Sequence, residues 1–358
     1  MLAIGIQDSR WEAFLRARPD SLVYHHPAWL HVLESEYRHE SVCLACEDGD
    51  GALQGILPMA WTSGVPLGST ARTGRRLSSL PRTPVAGPLS RDEEVTARLI
   101  DAAVEQVRDA PGARLELKPS WTCAIDPASG LSRLPWRRAY VLDLSAGAGG
   151  LQFGTSRNRA RLKWAVRKAS RLDVHLRVAD TQEDLRSWYR LYLETMRTHL
   201  IPPRPFRLFD AMWNVLRPRG LMRLLVAEHR RGLIAGSIYL TFGATAFYAF
   251  NGSRRSELRL RPNDIIHWRA IEDFRREGFR YYDLGEVATG NLGLADFKTK
   301  WGSEEIQLCR YYHPRPAVRA LEENPGTASG ARRLVETGWR LVPLRGTAAL
   351  GDAIYRFL

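Results

Sequence analysis

The chain has little cysteine and lacks an N-terminal segment typical of secreted proteins. Four of its 358 residues are cysteines, and their spacing does not form the pattern of a disulfide framework. The first ten residues, MLAIGIQDSR, contain no basic region, and their apolar run is too short for a secretory signal. These absences predict a cytoplasmic protein whose cysteines, Cys43, Cys46, Cys123 and Cys309, are reduced.

The cysteines also do not form a recognisable metal site. Cys43 and Cys46 are spaced as CxxC, but they lie in a predicted strand, and no second pair follows at metal-ligand spacing. We therefore predict that the protein has neither a metal site nor a thiol redox centre.

Long apolar runs are scarce as well. The uncharged run over residues 233–250 has nearly the length of a membrane span, but glycine, serine and threonine interrupt it. We predict two strands, LIAGSIYL and ATAFYAF, joined near Gly243, and a membrane segment is the alternative.

Positive charge, in contrast, is abundant. The chain carries 52 Lys and Arg against 39 Asp and Glu, which gives a formal net charge of +13. Such a charge attracts nucleic acid, anionic lipid or a phosphate-rich donor, and by itself it selects none of them. With 44% hydrophobic and 25% charged residues, the chain has enough apolar content for two folded domains.

The basic residues are densest in the segment SRNRARLKWAVRKASR, residues 156–171. Its sequence is compatible with a helix, and steps of three and four place several cations near one face. Two interpretations remain open: a solvated helix face, or a surface that grips an RNA or phosphate backbone and binds more weakly as salt is added. The donor-binding candidates on this segment are Arg157, Arg161, Lys163, Arg167 and Lys168.

The predicted elements occur in the same order twice. In the first half, helices over residues 9–19 and 24–37 precede strands over 41–47 and 54–61, a loop over 62–87, another helix and two more strands. The segments CLACEDGDGALQGILPMAW and LLVAEHRRGLIAGSIYLTF each read as strand, charged turn and strand. We interpret this as an internal duplication of one α/β unit, with chance similarity as the alternative. The predicted regions are a first domain at 1–148, a second, catalytic domain at 149–315, and a linker with a basic amphipathic helical tail at 316–358.

The segment from Gly278 to Gly302 carries the strongest indication of chemistry. The preceding residues RPNDIIHWRAIEDFRREG have the apolar spacing of an amphipathic helix, and FRYYDLGE follows with the composition of a strand. A glycine-containing loop then delivers Lys298, which we predict to lie at the edge of a cleft as the catalytic cation; a surface charge on a strand edge is the alternative. Asp283 and Glu286, in the same strand segment, are the acidic residues best placed to accept or position a proton, or else to hold a nearby arginine.

These elements, together with YHHPAW near the N-terminus, NGSRR and FKTKWG, resemble the Fem family of the GNAT acyltransferase superfamily over roughly residues 10–315. The resemblance implies an α/β (α+β) fold of tandem GNAT-like domains around a cleft, here with a helical C-terminal tail. Better-known Fem proteins move an amino acid from aminoacyl-tRNA to an amine of a nucleotide-linked peptidoglycan precursor, whereas other relatives acylate sugars or small molecules. The expected function is therefore acyl transfer that forms an amide, with tRNA and an amine-bearing acceptor as partners.

The resemblance also assigns roles to individual residues. Lys298, which follows Phe297, matches the lysine that is thought to stabilise the tetrahedral oxyanion. Arg197 lies where Fem proteins hold a phosphate-contacting arginine. The alternative is that it only interacts favourably with the negative end of the helix dipole, as cations at helix C-termini do. Tyr248 falls on the strand that lines the acceptor cleft, with a core tyrosine as the alternative. Ile201 stands where the family has an aromatic residue, which departs from the usual muropeptide contact.

Near the N-terminus, His26 and Trp29 are candidates to line the cleft. A paired histidine occurs in some acyltransferases, but the aspartate that follows it there is absent here, so a role at the start of a helix is the alternative for His26. The tail is predicted to pack on the body of the protein, to dimerise, or to lie on an anionic membrane surface.

The donor is predicted from residues 258–264, LRLRPND. A typical GNAT enzyme has a glycine-containing loop here, whose amides hold the coenzyme A pyrophosphate at a helix N-terminus. Pro262 has no amide hydrogen, no glycine is present, and Asp264 adds negative charge, although Arg259 and Arg261 partly offset it. We therefore expect aminoacyl-tRNA as the donor and no tightly bound cofactor, with acyl-CoA as the alternative donor. A catalytically silent protein that binds nucleic acid or membrane on the same fold is a further alternative.

Overall fold

The computed structural model describes residues 1–64, 73–123, 125–126, 129–145, 155–230, 232–315 and 342–355. These residues form two compact units. Unit 1 contains residues 1–137 together with 307–315 and 354–355, and unit 2 contains residues 138–306 and 342–353, with the gaps given above. The boundary predicted between residues 148 and 149 lies outside the described residues, while the contacts divide the chain after Arg137. Of the predicted tail, only residues 342–355 are described.

Unit 1 is built from short helices and a sheet. Its helices are α1 (Ser9–Arg16), α2 (Pro27–Tyr37) and α3 (Glu93–Arg108). Its strands are β1 (Leu2–Ala3), β2 (Ser41–Glu47), β3 (Leu53–Gly64), β4 (Thr73–Ser78), β5 (Leu89–Ser90) and β6 (Arg114–Leu117). Strand β7 (Ser132–Asp143) begins in unit 1 and continues in unit 2.

Unit 2 contains further helices. They are α4 (Ser156–Arg171), α5 (Gln182–His199), α6 (Phe206–Val215), α7 (Pro262–Arg276) and α8 (Leu292–Thr299). Its strands are β8 (His175–Val178), β9 (Met222–His229), β10 (Gly232–Phe242), β11 (Thr245–Ser253) and β12 (Tyr281–Val287). Strand β13 (Glu304–His313) and helix α9 (Leu344–Tyr355) begin in unit 2 and end in unit 1. None of the described helices is long and apolar enough to cross a membrane.

The two units have the same strand order. It is β1-β2-β3-β4-β6-β13 in unit 1 and β8-β9-β10-β11-β12-β7 in unit 2. Neighbouring strands are antiparallel except for β4 with β6 and β11 with β12, which are parallel. A parallel pair needs a crossover connection, which α3 supplies in unit 1 and α7 in unit 2. This shared order confirms the predicted repetition of one α/β unit.

Local sequence signals explain where the helices start. The Asp92 side chain accepts a hydrogen bond from the Val95 amide at the start of α3, and Thr181 forms a capping box with Asp184 at the start of α5. Burial then fixes the faces: the helices pack their apolar stripes on the sheets, and Phe274, Tyr282 and Trp301 are fully buried in the core of unit 2.

A glycine permits one close approach between helix and strand. A Cβ added at Gly236 on β10 would lie 2.7 Å from Cδ1 of Trp188 on α5. The indole Nε1 of Trp188 also donates a hydrogen bond of 2.8 Å to the Gly236 carbonyl. Only glycine leaves room for this contact, which explains the glycine inside an apolar strand.

Three sequence predictions are corrected by the structure. The predicted loop over residues 62–87 contains strand β4, and strand β13 was not predicted. The segment that carries Lys298 is not a loop or a strand edge but helix α8, whose first turn is capped by the Asn291 side chain. Strand β4 pairs with β3 and β6, and strand β13 pairs with β6. Because some of these partners are distant in sequence, local periodicity does not predict the two strands. The predicted hairpin over residues 233–250 is confirmed as β10 and β11, which turn at Gly243.

Candidate active site

The parallel strands β11 and β12 pair over only their first three residues. Phe247 and Asp283 form the last pair, and the register of β12 against β7 shifts between Asp283 and Glu286. Gly285 lies inside this bulge with φ of 83°, a backbone conformation that side chains disfavour. The Asp283 carboxylate holds the bulge by accepting a hydrogen bond of 2.6 Å from the Gly285 amide. The bulge turns backbone carbonyls of β12 towards α8.

Lys298 fills the space beside this bulge. Its side chain is buried, and Nζ donates to the carbonyl oxygens of Gly285 at 2.9 Å and Glu286 at 3.2 Å. An ammonium group has three N–H donors, so two are used here, and the third has no partner among the described residues. Burial lowers the pKa of Lys298 to about 8, although the charges of Asp283 and Glu286 oppose this shift.

Aromatic rings lie near the lysine and near the neighbouring His267. The Tyr140 ring centroid lies 5.8 Å from Nζ of Lys298. Tyr248 and Phe297 are half-buried, and their rings lie 4.5 and 5.4 Å from the ring of His267. Burial raises the pKa of Tyr248 above its usual range, so its hydroxyl stays protonated. The structure thus brings together five sequence-predicted residues, Lys298, Asp283, Glu286, Tyr248 and Phe297, on β11, β12 and α8.

His267 is a member of this cluster that sequence analysis missed. It is 1% exposed on α7, and its Nδ1 lies 2.6 Å from the Tyr282 hydroxyl. Its Nε2 is buried and has no hydrogen-bond partner among the described residues. Burial, and then the charges of Lys300 and Lys298, lower the pKa of His267 to about 3, so the ring is neutral at pH 7. The available signal was a polar residue at an apolar position of an amphipathic helix.

The start of α7 differs from the sequence interpretation. Asp264 is buried, and its Oδ1 lies 2.5 Å from Nζ of Lys300. The negative charge that we expected to repel a phosphate is therefore neutralised, which corrects one of the arguments against coenzyme A. Pro262 occupies the first turn, as expected, and Arg261 precedes it in the left-handed conformation with φ of 62°.

The cationic face of α4 is exposed. Arg157, Arg161, Lys163 and Arg167 are exposed, and Lys168 is half-buried. Two open hollows of about 530 and about 470 Å³ flank the helix and share Lys168 and Leu172 in their walls. The second hollow is also lined by Arg254 and Arg259. The predicted donor-binding residues on α4 and near α7 thus form one basic surface on unit 2.

Three other candidates do not join the cluster. Arg197 lies half-buried in the last turn of α5, and no described residue forms a hydrogen bond or ion pair with its guanidinium. Trp29 is buried in unit 1, where its indole Nε1 donates to Thr83 Oγ1 at 3.1 Å. His26 caps α2, because its Nδ1 accepts a hydrogen bond from the Ala28 amide. This agrees with the alternative role of His26 at the start of a helix. We do not retain Trp29 and His26 as substrate contacts, because their contacts are those of core packing and helix capping.

Comparison with known proteins agrees with this architecture. Residues 156–299 match the family described as acetyltransferase (GNAT) domain. No match was found among curated proteins. Among solved structures, FemX is similar with a TM-score of 0.66 at 15% identity, over 87% of this chain and 97% of that one.

Two further structures are similar over comparable lengths. L-PGS from Bacillus licheniformis has a TM-score of 0.58 at 12% identity, over 90% of this chain and 96% of that one. A tandem GNAT protein from the clavulanic acid biosynthesis pathway has a TM-score of 0.50 at 15% identity, over 87% and 97%. Identities this low establish the fold alone. The fold is therefore an α/β, tandem GNAT-like fold, as predicted, and residues 156–299 of unit 2 are similar to the acetyltransferase (GNAT) domain.

Proposed function

We propose that the protein moves an aminoacyl group from charged tRNA to an amine of a peptidoglycan precursor or a peptide-like metabolite. The observation that carries this proposal is Lys298, a buried ammonium group with two N–H donors fixed by β12 and a third that no described residue uses. The acceptor class is supported by the fold shared with FemX, and the donor class by the basic surface of unit 2.

In the proposed reaction, the acceptor amine attacks the ester carbonyl of the aminoacyl group. A C–N bond forms, and the carbonyl oxygen gains negative charge in the tetrahedral intermediate. The third N–H of Lys298 donates to that oxygen, an interaction that is stronger in the transition state than in the ground state. With a pKa of about 8, Lys298 is mostly charged at pH 7 and available for this role.

The proton balance closes through the acids of β12. Asp283 is buried and is positioned by the Gly285 amide, and Glu286 is half-buried. One of them accepts the proton that the amine loses, and the same acid gives this proton to the ester oxygen of the tRNA ribose as the C–O bond breaks. Tyr248, whose hydroxyl stays protonated, and Arg197 are the proposed contacts to the acceptor.

The donor is inferred from the extent of the basic surface. Exposed cations continue from Arg157 through Arg167 on α4 to Arg254, Arg259 and Arg261, which is more than the few phosphates of one coenzyme need. A phosphodiester chain fits such a surface, and it contacts many cations at once. The use of charged tRNA agrees with the predicted cytoplasmic location.

A second candidate is supported by one observation. Because Lys300 neutralises Asp264, and Arg259 and Arg261 are exposed beside it, a pyrophosphate meets no uncompensated negative charge at the start of α7. The alternative function is therefore acyl-CoA-dependent N- or O-acylation of a polysaccharide or small molecule.

Label transfer separates these functions. The protein is incubated with radiolabelled aminoacyl-tRNAs or with labelled acyl-CoA, in each case with a panel of amines that includes muropeptides. We expect label in an amide product from aminoacyl-tRNA only. Transfer from acyl-CoA alone would replace our donor with the alternative, and RNA binding without any transfer, unchanged in Lys298→Ala, would show a non-catalytic protein.

Charge reversal tests the donor surface independently of chemistry. Arg167→Glu should weaken tRNA binding and reduce the slope of log affinity against log salt by about 1, because one phosphate contact is lost. The matched control is Arg98→Glu, which reverses an exposed arginine on α3 of unit 1. Equal effects of the two variants would show attraction by net charge alone and contradict a binding role of α4.

A further inference from the structure

Trp164 on α4 differs in exposure from the buried tryptophans of unit 2. Its side chain is 53% exposed, whereas Trp188, Trp213 and Trp301 of the same unit are buried. An exposed tryptophan loses the stabilisation that burial of its large apolar surface provides. Its position on the most basic helix therefore calls for a partner.

Two cations lie against this indole ring. Nζ of Lys168, one turn further along α4, is 5.1 Å from the ring centroid, and the guanidinium carbon of Arg261, which precedes α7, is 5.3 Å away. Both distances lie within the range of cation–π attraction. The two cations also place positive charge directly beside the exposed aromatic surface.

The surroundings combine a hollow with several basic side chains. Trp164 lines the hollow of about 530 Å³ together with Lys163, Arg167 and Arg171. Single-stranded nucleic acids are bound by cations that contact the backbone and by aromatic rings on which unpaired bases stack. Both features meet here within one helix and the start of another.

We propose that Trp164 is a stacking platform for an unpaired nucleobase, whose neighbouring phosphates are held by Lys168 and Arg261. This deepens the proposed function, on which it rests, by naming the part of the donor that the basic surface binds. The same chemistry occurs in the single-stranded 3′ end of an RNA and in the adenosine 3′-phosphate of coenzyme A. The experiment therefore includes both.

Binding is measured by fluorescence anisotropy with a labelled single-stranded RNA 12-mer ending in CCA, and with a blunt RNA duplex of the same length. Loss of one base stack corresponds to a roughly five- to 150-fold weaker binding. Trp164→Ala should weaken binding of the single strand by that factor and leave duplex binding unchanged. Trp164→Phe should retain most of the affinity, because it keeps an aromatic face.

The matched control is Trp136→Ala in unit 1. Trp136 is half-buried, and its ring also carries two arginines, with Arg310 at 3.4 Å and Arg137 at 5.2 Å from the centroid. This variant should bind both RNAs as the wild type does. Arg261→Gln should reduce the salt slope by about 1, whereas Trp164→Ala should leave the slope unchanged.

Coenzyme A identifies the source of the base. It is titrated against the same variants by competition with the labelled strand. If Trp164→Ala weakens coenzyme A binding and not RNA binding, the platform holds the adenine of the alternative donor. Wild-type affinity of Trp164→Ala for both ligands, or equal loss for single strand and duplex, overturns the proposal. None of these experiments measures transfer of the aminoacyl group. A protein that stacks the base but does not catalyse the proposed reaction can therefore be distinguished from one that does not stack the base.

Discussion

The two units share a strand order but differ at the point where their parallel strands diverge. In unit 1 the last pair is Ser78 with Glu116, and two residues further Lys118 donates through Nζ to the carbonyls of Leu80 and Thr83. In unit 2 the residue two positions beyond the last pair is Gly285. In unit 1 the lysine at this point, Lys118, directly follows strand β6, whereas in unit 2 the position holds a glycine and the lysine, Lys298, comes from α8.

The acids at the last pair follow the same contrast. Burial alone raises the pKa of Glu116, but the charges of Lys118, Arg310 and Arg76 outweigh it and lower the pKa. Glu116 is locked in ion pairs of 2.6 Å to Arg310 and 3.3 Å to Arg76. Its counterpart Asp283 instead holds the backbone of the bulge beside Lys298. One unit uses these groups for stability, and the other, we propose, uses them for chemistry.

Replacement of the two lysines tests this contrast most strongly. Lys298→Ala should lower turnover by roughly 10²–10³, because an oxyanion donor is lost. Lys118→Ala should instead leave turnover of the folded protein unchanged and destabilise it by about 1–3 kcal/mol, because buried carbonyls lose a donor. Steady-state kinetics and denaturant unfolding of both variants provide the measurement. Normal turnover in folded Lys298→Ala would remove the distinction between the units.

The pH dependence of turnover sharpens the role of Lys298. Its pKa of about 8 means that the charged form is lost as pH rises through 8, so turnover should fall about tenfold per pH unit well above that value. Lys298→Arg keeps its charge at alkaline pH, so any residual activity of this variant should lack that limb. A wild-type profile that keeps rising beyond pH 9 contradicts an ammonium in the mechanism.

The glycine of the bulge offers a smaller effect. Gly285→Ala places a side chain at positive φ with its Cβ 3.5 Å from Nζ of Lys298, so it should cost about 1–3 kcal/mol of stability and also reduce turnover. Gly278 has φ of 88° and no atom within 4 Å of an added Cβ. Gly278→Ala should therefore show comparable strain with normal turnover. Equal turnover of both variants would mean that the bulge does not position the lysine.

Two buried histidines, His267 in unit 2 and His25 in unit 1, provide the mildest comparison. Burial lowers the pKa of His267 to about 3 and that of His25 in unit 1 to about 4. Below pH 6.5 each of these histidines binds a proton in the unfolded chain but not in the folded protein. The free energy of unfolding therefore decreases as pH falls. His267→Gln and His25→Gln should each reduce the slope of the unfolding free energy against pH, between pH 6 and 5, by up to about 1.4 kcal/mol per pH unit.

Turnover then separates the two histidines. His267 packs against Tyr248 and Phe297 in the candidate site, so its replacement should lower turnover several-fold. His25 lies in unit 1, and its replacement should not. A variant whose acid sensitivity equals that of the wild type would show that the histidine in question does not titrate as described.

Local patterns predicted much of the fold and part of the site. Apolar periodicity located α5 and α7, the alternation of charged turns and strands located β2, β3, β9 and β10, and residue type singled out Lys298. Trp29 and His26 could not be assigned in this way, because an exposed and a buried aromatic residue look alike in a sequence. The resemblance to the Fem family predicted the doubled fold, and the substrate remains a proposal.

The sequence by itself determined the repeated order of elements, the hairpin at Gly243, the basic face of α4 and the candidate lysine, since these depend on residues near one another in the chain. Only the tertiary structure decided that Lys118 and Lys298 each donate to buried backbone carbonyls, that Asp264 is paired with Lys300, and that His267 keeps a buried nitrogen without a partner among the described residues. Strand pairing and burial join residues tens of positions apart, and those contacts set the charge and hydrogen bonding of each group.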